Sequence, residues 1–303
     1  MITNQFIAPN QLLKPFVSNY LLATSHGQDL SFSSQWAASN EICFLFFLRD
    51  RIKHKNNQPD AALTGKRNCC VGQLTHYNGI LDFTGRYHTF IILFELNGIN
   101  KLFGIPMSSF TNRIYSVEEV FGNKMKDLHE QLLNAANIQQ MALYADEVLL
   151  SFLNQRTRKL SPQDCIAVIP GSFCDSTTLL RVNEYANMAN MSVKNFERKF
   201  LEQAGMLPKL HLKLLRFNRA IRIKTISPRK SFTSVAYECG YFDQAHFIKD
   251  CKTFTGFSPK DFFITDRNLA RPRIHLQQPS EFTLQQLSHQ LPQEEFVSVM
   301  RSK

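Results

Sequence analysis

Two groups of side chains near the end of the chain stand at helical spacing, and both suit noncovalent recognition rather than bond making. Ser192, Lys194, Asn195 and Arg198 form the first, and Gln244, His246, Lys249 and Lys252 form the second. Amides of this kind can pair bidentately with an adenine edge, and the cations can reach guanine or a phosphate. Behind each group runs an apolar stripe, Val193, Phe196 and Phe200 in one case and Phe247, Cys251 and Phe254 in the other. The polar groups therefore project from the outer face of an amphipathic helix that is anchored on its inner face. Lys209, Arg216, Arg222 and Lys260 add cations suited to phosphates. These types in this pattern point to reading double-stranded DNA.

The elements that must hold them are legible as a repeat. Asn195 to Lys209 reads NFERKFLEQAGMLPK and His246 to Lys260 reads HFIKDCKTFTGFSPK. Phe196, Gly205, Pro208 and Lys209 return 51 positions later as Phe247, Gly256, Pro259 and Lys260, while upstream Ala186 matches Ala236 at an offset of 50. Each copy reads as a short helix, a turn and a second helix, a helix-turn-helix unit. In the first copy Val182 to Met188 supplies the leading helix, and Ala186 is small where helices must approach. Asn190 suits a left-handed turn residue, and Ser192 suits an N-cap. In the second copy Val235, Ala236 and Gly240 frame the leading helix, and Asp243 is a better cap than Phe242. Asp250 lies beside the apolar face, away from the polar one.

Between the copies, Pro208 to Lys230 carries Lys209, Lys213, Arg216, Arg219, Arg222, Lys224, Arg229 and Lys230, and no acid occurs from Gln203 to Tyr237. Leu210, Leu214, Phe217, Ile221 and Ile226 give the same segment an apolar stripe, so it reads as a linker helix, half core and half basic surface. The formal charge of the chain is +10, and most of it falls in residues 160–270 with the repeat. An anionic partner is expected.

Residues 1–115 carry strand signals instead. Ile42 to Leu48 and Phe90 to Phe94 are short apolar runs, and further strands are expected near Val71–Leu74 and Ile80–Phe83, with Asn78-Gly79 as a turn. Residues 117–156 switch to helical spacing, with Leu128, Leu132, Ala135, Met141, Tyr144, Val148, Leu149 and Phe152 on a stripe that predicts one long helix or two shorter ones. That stripe serves the core of its own domain or a dimer seam. A domain boundary is expected in Asn154 to Pro162, and a helix is expected from Asp164 to Phe173. The resulting division is residues 1–157, 158–267 and a polar tail, 268–303. The fold class is α+β: a β-rich N-terminal domain followed by an all-α domain with two helix-turn-helix units on a linker helix.

About 85 of the 303 residues, from Leu179 to Phe263, resemble the DNA-binding domain of AraC/XylS-type transcriptional regulators. The segments that carry this are NEYANMANMSVKNFERKF, GMLPKLHLKLLRFNRAI and SVAYECGYFDQAHFIKDCKTFTGFSPKDFF. The last is the most specific, with Ala-x-x-x-Gly-Tyr, Asp-Gln-x-His-Phe and Phe-x-Gly-x-x-Pro-Lys in order. The resemblance implies two units on a rigid linker helix that read adjacent major-groove segments, with centres about one helical turn, roughly 10 bp, apart. Three positions depart from the family pattern: Asn190 stands for a glycine, Phe242 for a polar residue and Cys251 for an aromatic. Leu12 to Val17 and Phe103-Gly104-Ile105-Pro106 resemble, more loosely, the sensor domains of such regulators, which implies effector sensing or dimerisation there.

The rival reading makes the β-rich domain an enzyme or small-molecule binder, with the helical part as a tether. Its chemistry is poorly supplied. His26, His54, His76 and His88 are dispersed, with no His-x-His, and His88 and Glu95 would face opposite sides of one strand. Cys69 and Cys70 are adjacent, a redox-sensing candidate, but no C-x-x-C occurs, and all seven cysteines read as reduced thiols. No phosphate loop, G-x-S-x-G or H-E-x-x-H is present. Neither cofactor nor metal is expected, nor catalysis. The longest apolar run falls far short of the roughly 20 residues of a membrane span, and no signal peptide is expected, so the reading is a cytoplasmic protein without a membrane partner. Double-stranded DNA is the expected partner, with RNA polymerase, a small-molecule effector and a second copy of the chain as further candidates.

Overall fold

Strand β4 (Ile42–Phe47) is buried at all six positions, because both of its faces are covered. Ile42, Phe44 and Phe46 belong to one core, and Cys43, Leu45 and Phe47 to another. The same division runs through β8 (His88–Phe94): Phe90, Ile92 and Phe94 face the first core, Ile91 and Leu93 the second. Alternating side chains point to opposite faces of a strand, so an unbroken apolar run marks a sheet packed on both sides. A computed structural model of the chain describes residues 2–25, 29–55, 63, 65–155, 165–169 and 179–268.

Among these residues the first sheet runs β1-β2-β8-β4-β6-β9, with β1 (Ile2–Ile7), β2 (Val17–Ser25), β6 (Asn68–Val71) and β9 (Ile114–Tyr115). The second runs β3-β7-β5, with β3 (Leu30–Gln35), β5 (Lys53–Lys55) and β7 (Ile80–Gly85). All neighbouring strands are antiparallel. The second core fills the space between the sheets. The first core lies under helices α1 (Gly98–Phe103), α2 (Val117–Phe121), α3 (Asn123–Leu133) and α4 (Ile138–Asn154).

Several expectations need correction. The strand expected at Val71–Leu74 lies upstream, at Asn68–Val71, and Leu74 makes only an isolated bridge with Ser39. Asn78-Gly79 does not close a hairpin, since β6 and β7 belong to different sheets. Residues 117–156 form three helices. Gly122, at φ 83°, separates the first two, and Asn137 starts the third by accepting from Gln140 N at 3.0 Å. Their stripe packs on its own domain: Leu128, Leu132, Met141 and Leu149 are buried in the first core. Of the helix expected from Asp164 to Phe173, the described part is a 3₁₀ turn, Cys165–Val168. The polar tail from 269 on, His26, Cys174 and most of the expected boundary segment lie outside the described residues. Cys69 and Cys70 are both fully buried. Burial pushes Cys69 up to about 12 and Cys70 well above its ordinary value, so neither is a ready thiolate.

The C-terminal part is helical: α5 (Val182–Met188), α6 (Val193–Ala204), α7 (Pro208–Ile226), α8 (Phe232–Glu238), α9 (Gln244–Thr255) and α10 (Pro259–Asn268). It rests on the β-rich part at the C-terminal ends of α6 and α9. A helix leaves its last four carbonyls without internal partners, and here the β-rich part supplies donors. Gln73 Nε2 donates to Ala204 O at 2.6 Å, and Thr111 Oγ1 donates to Gly205 O. Ala38 N donates to Phe254 O at 2.8 Å and Tyr77 N to Thr253 O at 3.2 Å. Leu96 joins the core of the first helix-turn-helix unit and Ala38 that of the second.

Candidate nucleic-acid interface

The first unit folds as its local residues dictate. Met191 N reaches back to Ala186 O at 2.9 Å across the turn, and Ala186 is fully buried where α5 meets α6. Asn190 takes the left-handed conformation, φ 52°, which Asn tolerates better than most side chains. Ser192 Oγ accepts from Asn195 N at 3.3 Å and so caps α6. Phe196 and Phe200 are fully buried against Tyr185 and Ala186. Val193, expected on that inner face, is instead 42% exposed.

Lys194, Asn195 and Arg198 lie on the outer side of α6, Lys194 and Arg198 exposed and Asn195 partly so. Arg198 Nη2 donates to Asn195 Oδ1 at 3.0 Å, and its Nη1 lies 3.8 Å from Glu202 Oε2. The ion pair is exposed on both sides and therefore weak. The pairing holds the guanidinium along the helix. Glu202 is an acid on this face that the sequence reading passed over.

In the second unit Tyr241 N reaches Ala236 O at 3.0 Å, the counterpart of the bond from Met191. Gly240 is left-handed at φ 76°. Asp243 Oδ1 accepts from His246 N at 2.7 Å, so Asp243 is the cap. Phe247, Cys251 and Phe254 are fully buried, while Ala245, Lys249 and Lys252 are exposed and Gln244 and His246 partly so. Thr233, at the start of α8, donates to Gln244 Oε1 at 2.7 Å. That bond fixes the amide with its NH₂ as the remaining donor, a role for Thr233 legible only in three dimensions.

Asp250 is fully buried on the inner side of α9. Its carboxylate lies 2.7 Å from Lys213 Nζ and 3.7 Å from Arg216 Nη2. The Arg216 guanidinium also sits 4.4 Å from the centre of the Tyr241 ring. Burial first, and the Asp250 charge second, push the Tyr241 phenol far above its ordinary value. His246 Nε2 is 3.5 Å from Arg216 Nη2 and 4.0 Å from Asp250 Oδ2, with its ring edge-on to Tyr241. An unpaired charge would be costly in such a place, so Asp250 draws these cations inward from α7.

The basic linker is therefore less outward-facing than its sequence implies. Lys213 and Arg216 serve Asp250. Lys224 donates to the carbonyls of Pro228 and Lys230 at 2.6 and 2.5 Å, where it closes the end of α7, and Lys230 pairs with Glu238. Lys209 and Lys260 are exposed, and Arg222 is half-buried. The structure thus gathers Ser192, Lys194, Asn195 and Arg198 on the first turns of α6, and Gln244, Lys249 and Lys252 along α9. It turns Arg216 toward the interior.

Two helix-turn-helix units joined by one long helix define a DNA-binding transcription regulator. Residues 185–264 match the family described as a helix-turn-helix domain, and residues 5–116 match one described as a domain of unknown function (DUF6597). No curated protein matches the chain. Among solved structures it is similar to ToxT from Vibrio cholerae O395, at 10% identity over 83% of this chain and 98% of that one, with a TM-score of 0.42. An AraC-type regulator from Chromobacterium violaceum is 20% identical over 36% of this chain and 90% of that one, with a TM-score of 0.30. The DNA-binding domain of AdpA, solved with a target DNA, is 24% identical over 36% of this chain and 96% of that one, with a TM-score of 0.32. Residues 185–264 carry a helix-turn-helix domain of the AraC type. Among the described residues no group of His, Cys, Asp and Glu is placed to hold a metal, and no helix is long and apolar enough to cross a membrane.

Proposed function

We propose that this chain is a sequence-specific regulator in which α6 and α9 enter adjacent major-groove segments on one face of a duplex, with centres about one helical turn, roughly 10 bp, apart. The observation that carries this is the capped, twice-repeated unit, with its apolar face buried and a polar face outward in both copies. Asn195, Arg198 and Gln244 are assigned to base edges. Ser192, Lys194, His246, Lys249, Lys252, Lys209, Arg222 and Lys260 are assigned to phosphates or groove walls. Arg216 is withdrawn from that set because its guanidinium is committed to Asp250 and Tyr241.

The β-rich domain is assigned the control of this binding by a small molecule. What supports this is an open groove of about 620 Å³ between the β1–β2–β8 side of the first sheet and the start of α4, lined by Gln5, Phe6, Thr24, His88 and Asn137 among others. Since the same domain caps the ends of α6 and α9, a change in its sheets would reach both recognition helices.

The test is selection of bound fragments of the source genome by the purified full chain. A recurring two-part site with elements about one turn apart is the expected result. Retention of fragments without any shared motif would overturn the reading and leave charge-driven binding alone.

A further inference from the structure

The two units are not equivalent, and one difference lies in the turn. Their turns close alike, through Met191 N to Ala186 O and Tyr241 N to Ala236 O, with Asn190 and Gly240 in matching left-handed positions. The residue after Met191 is Ser192, the cap of α6. One residue separates Tyr241 from the cap of α9, which is Asp243. The inserted residue is Phe242, and this insertion is the origin of the change in repeat offset from 50 to 51.

Phe242 is 86% exposed, whereas Tyr241 beside it is 3% exposed. The fold gains nothing from leaving a phenyl ring in water, since its apolar area stays hydrated. A single exposed apolar side chain is ordinary on a protein surface, but the position of this one is particular. It directly precedes the cap of α9, beside Gln244, whose amide is fixed by Thr233, and the exposed Ala245. The N-terminal residues of a recognition helix are those that meet base edges. The apolar group that the major groove presents is the C5-methyl of thymine.

We propose that Phe242 is a specificity-determining residue of the second unit, its ring packing on the C5-methyl of a thymine next to the base met by Gln244. The inference rests on the regulator reading above. The first unit has no counterpart of this side chain, so the second half-element requires a thymine that the first does not. Two units that share a fold but differ in this side chain add to the direction in which the protein binds along its site.

The experiment uses the full chain and its selected DNA site, with each thymine of the site replaced singly by deoxyuridine, which lacks the methyl. For the unaltered protein, one replacement in the second element lowers affinity about fourfold, or about 0.8 kcal/mol, the worth of one buried methylene-sized group. Phe242→Ala binds the thymine and uracil versions of that site equally, and Phe242→Leu keeps part of the difference. The fold is unaffected, since the ring has almost no protein neighbours, and circular dichroism checks this. Equal weakening of Phe242→Ala on every sequence would place the ring on the sugar-phosphate backbone and overturn the proposal. So would unchanged DNA binding with lost transcriptional output, which would make the ring a protein contact. Failure of the unaltered protein to select any site would overturn the regulator reading itself, a result distinct from these.

Discussion

Gly205 and Gly240 have nearly the same backbone, φ 73° and 76°, but only one of them meets the β-rich domain. Alanine at either position bears the left-handed cost of roughly 1–2 kcal/mol. A Cβ on Gly240 would meet nothing within 4 Å, so that cost is its whole effect. A Cβ on Gly205 would lie 2.6 Å from Gln73 Oε1, 2.9 Å from Met107 O and 2.9 Å from Thr111 Oγ1. The Met107 oxygen is main chain in a short 3₁₀ turn and cannot rotate away. Relief requires the end of α6 to lift from the β-rich domain, which breaks the bonds from Gln73 to Ala204 and from Thr111 to Gly205. At about 1 kcal/mol for each hydrogen bond, Gly205→Ala costs about 2 kcal/mol more than Gly240→Ala. Urea unfolding of the full chain, followed by fluorescence and circular dichroism together, measures the difference through the midpoints. Costs that agree within about 0.5 kcal/mol, the usual scatter of independent sites, would refute the claim that this contact holds α6 to the β-rich domain.

Asp250→Asn removes the buried partner of Lys213 and Arg216. Because both cations keep some contact with water, the loss should sit near the lower end of the range for broken buried pairs, about 3 kcal/mol in denaturant melts, and a loss below 1 kcal/mol would contradict the central role given to Asp250. Arg198→Ala should relax preference at one base pair and cost about 1–3 kcal/mol of binding if the guanidinium reads a guanine; an equal loss on specific and random DNA would demote it to a phosphate contact. Burial raises the Glu41 carboxyl from about 4.5 to about 7, against a lowering by its bond with Ser39. Its folded value lies above its unfolded one, so the stability it contributes is complete below about pH 4.5 and is lost as pH rises through about 7. The loss is at most about 3 kcal/mol, at 1.4 kcal/mol per unit, and less where water reaches the side chain. Glu41→Gln should flatten this slope between pH 5 and pH 8 in denaturant melts, and an unchanged slope would assign the pH dependence elsewhere.

What the amino-acid order settled by itself is local. Ser192 and Asp243 cap the helices that follow them, and Asn190 and Gly240 take the left-handed turns, because each of these features is decided within a few residues of backbone. Phe196, Phe200, Phe247 and Phe254 face inward for the same reason, since helical spacing alone puts them on one side. The pairing of the strands was not available that way. Ile42 to Phe47 shows no alternation because both faces are buried, and nothing in such a run says which neighbour it bonds or that β6 and β7 part into different sheets. The weaker strands β1 and β3, half-exposed, carried too little apolar signal to stand out. Charge misled in the linker: Lys213 and Arg216 look like surface cations in sequence, and only the burial of Asp250, thirty-odd positions away, turns them inward. Tertiary packing likewise decided that Val193 stays exposed and that Thr233 orients Gln244. It also decided that the β-rich domain donates to carbonyls at the ends of both recognition helices. A cap or a turn depends on neighbours in the chain, whereas the direction of a long side chain depends on whichever charge or surface the fold brings within its reach.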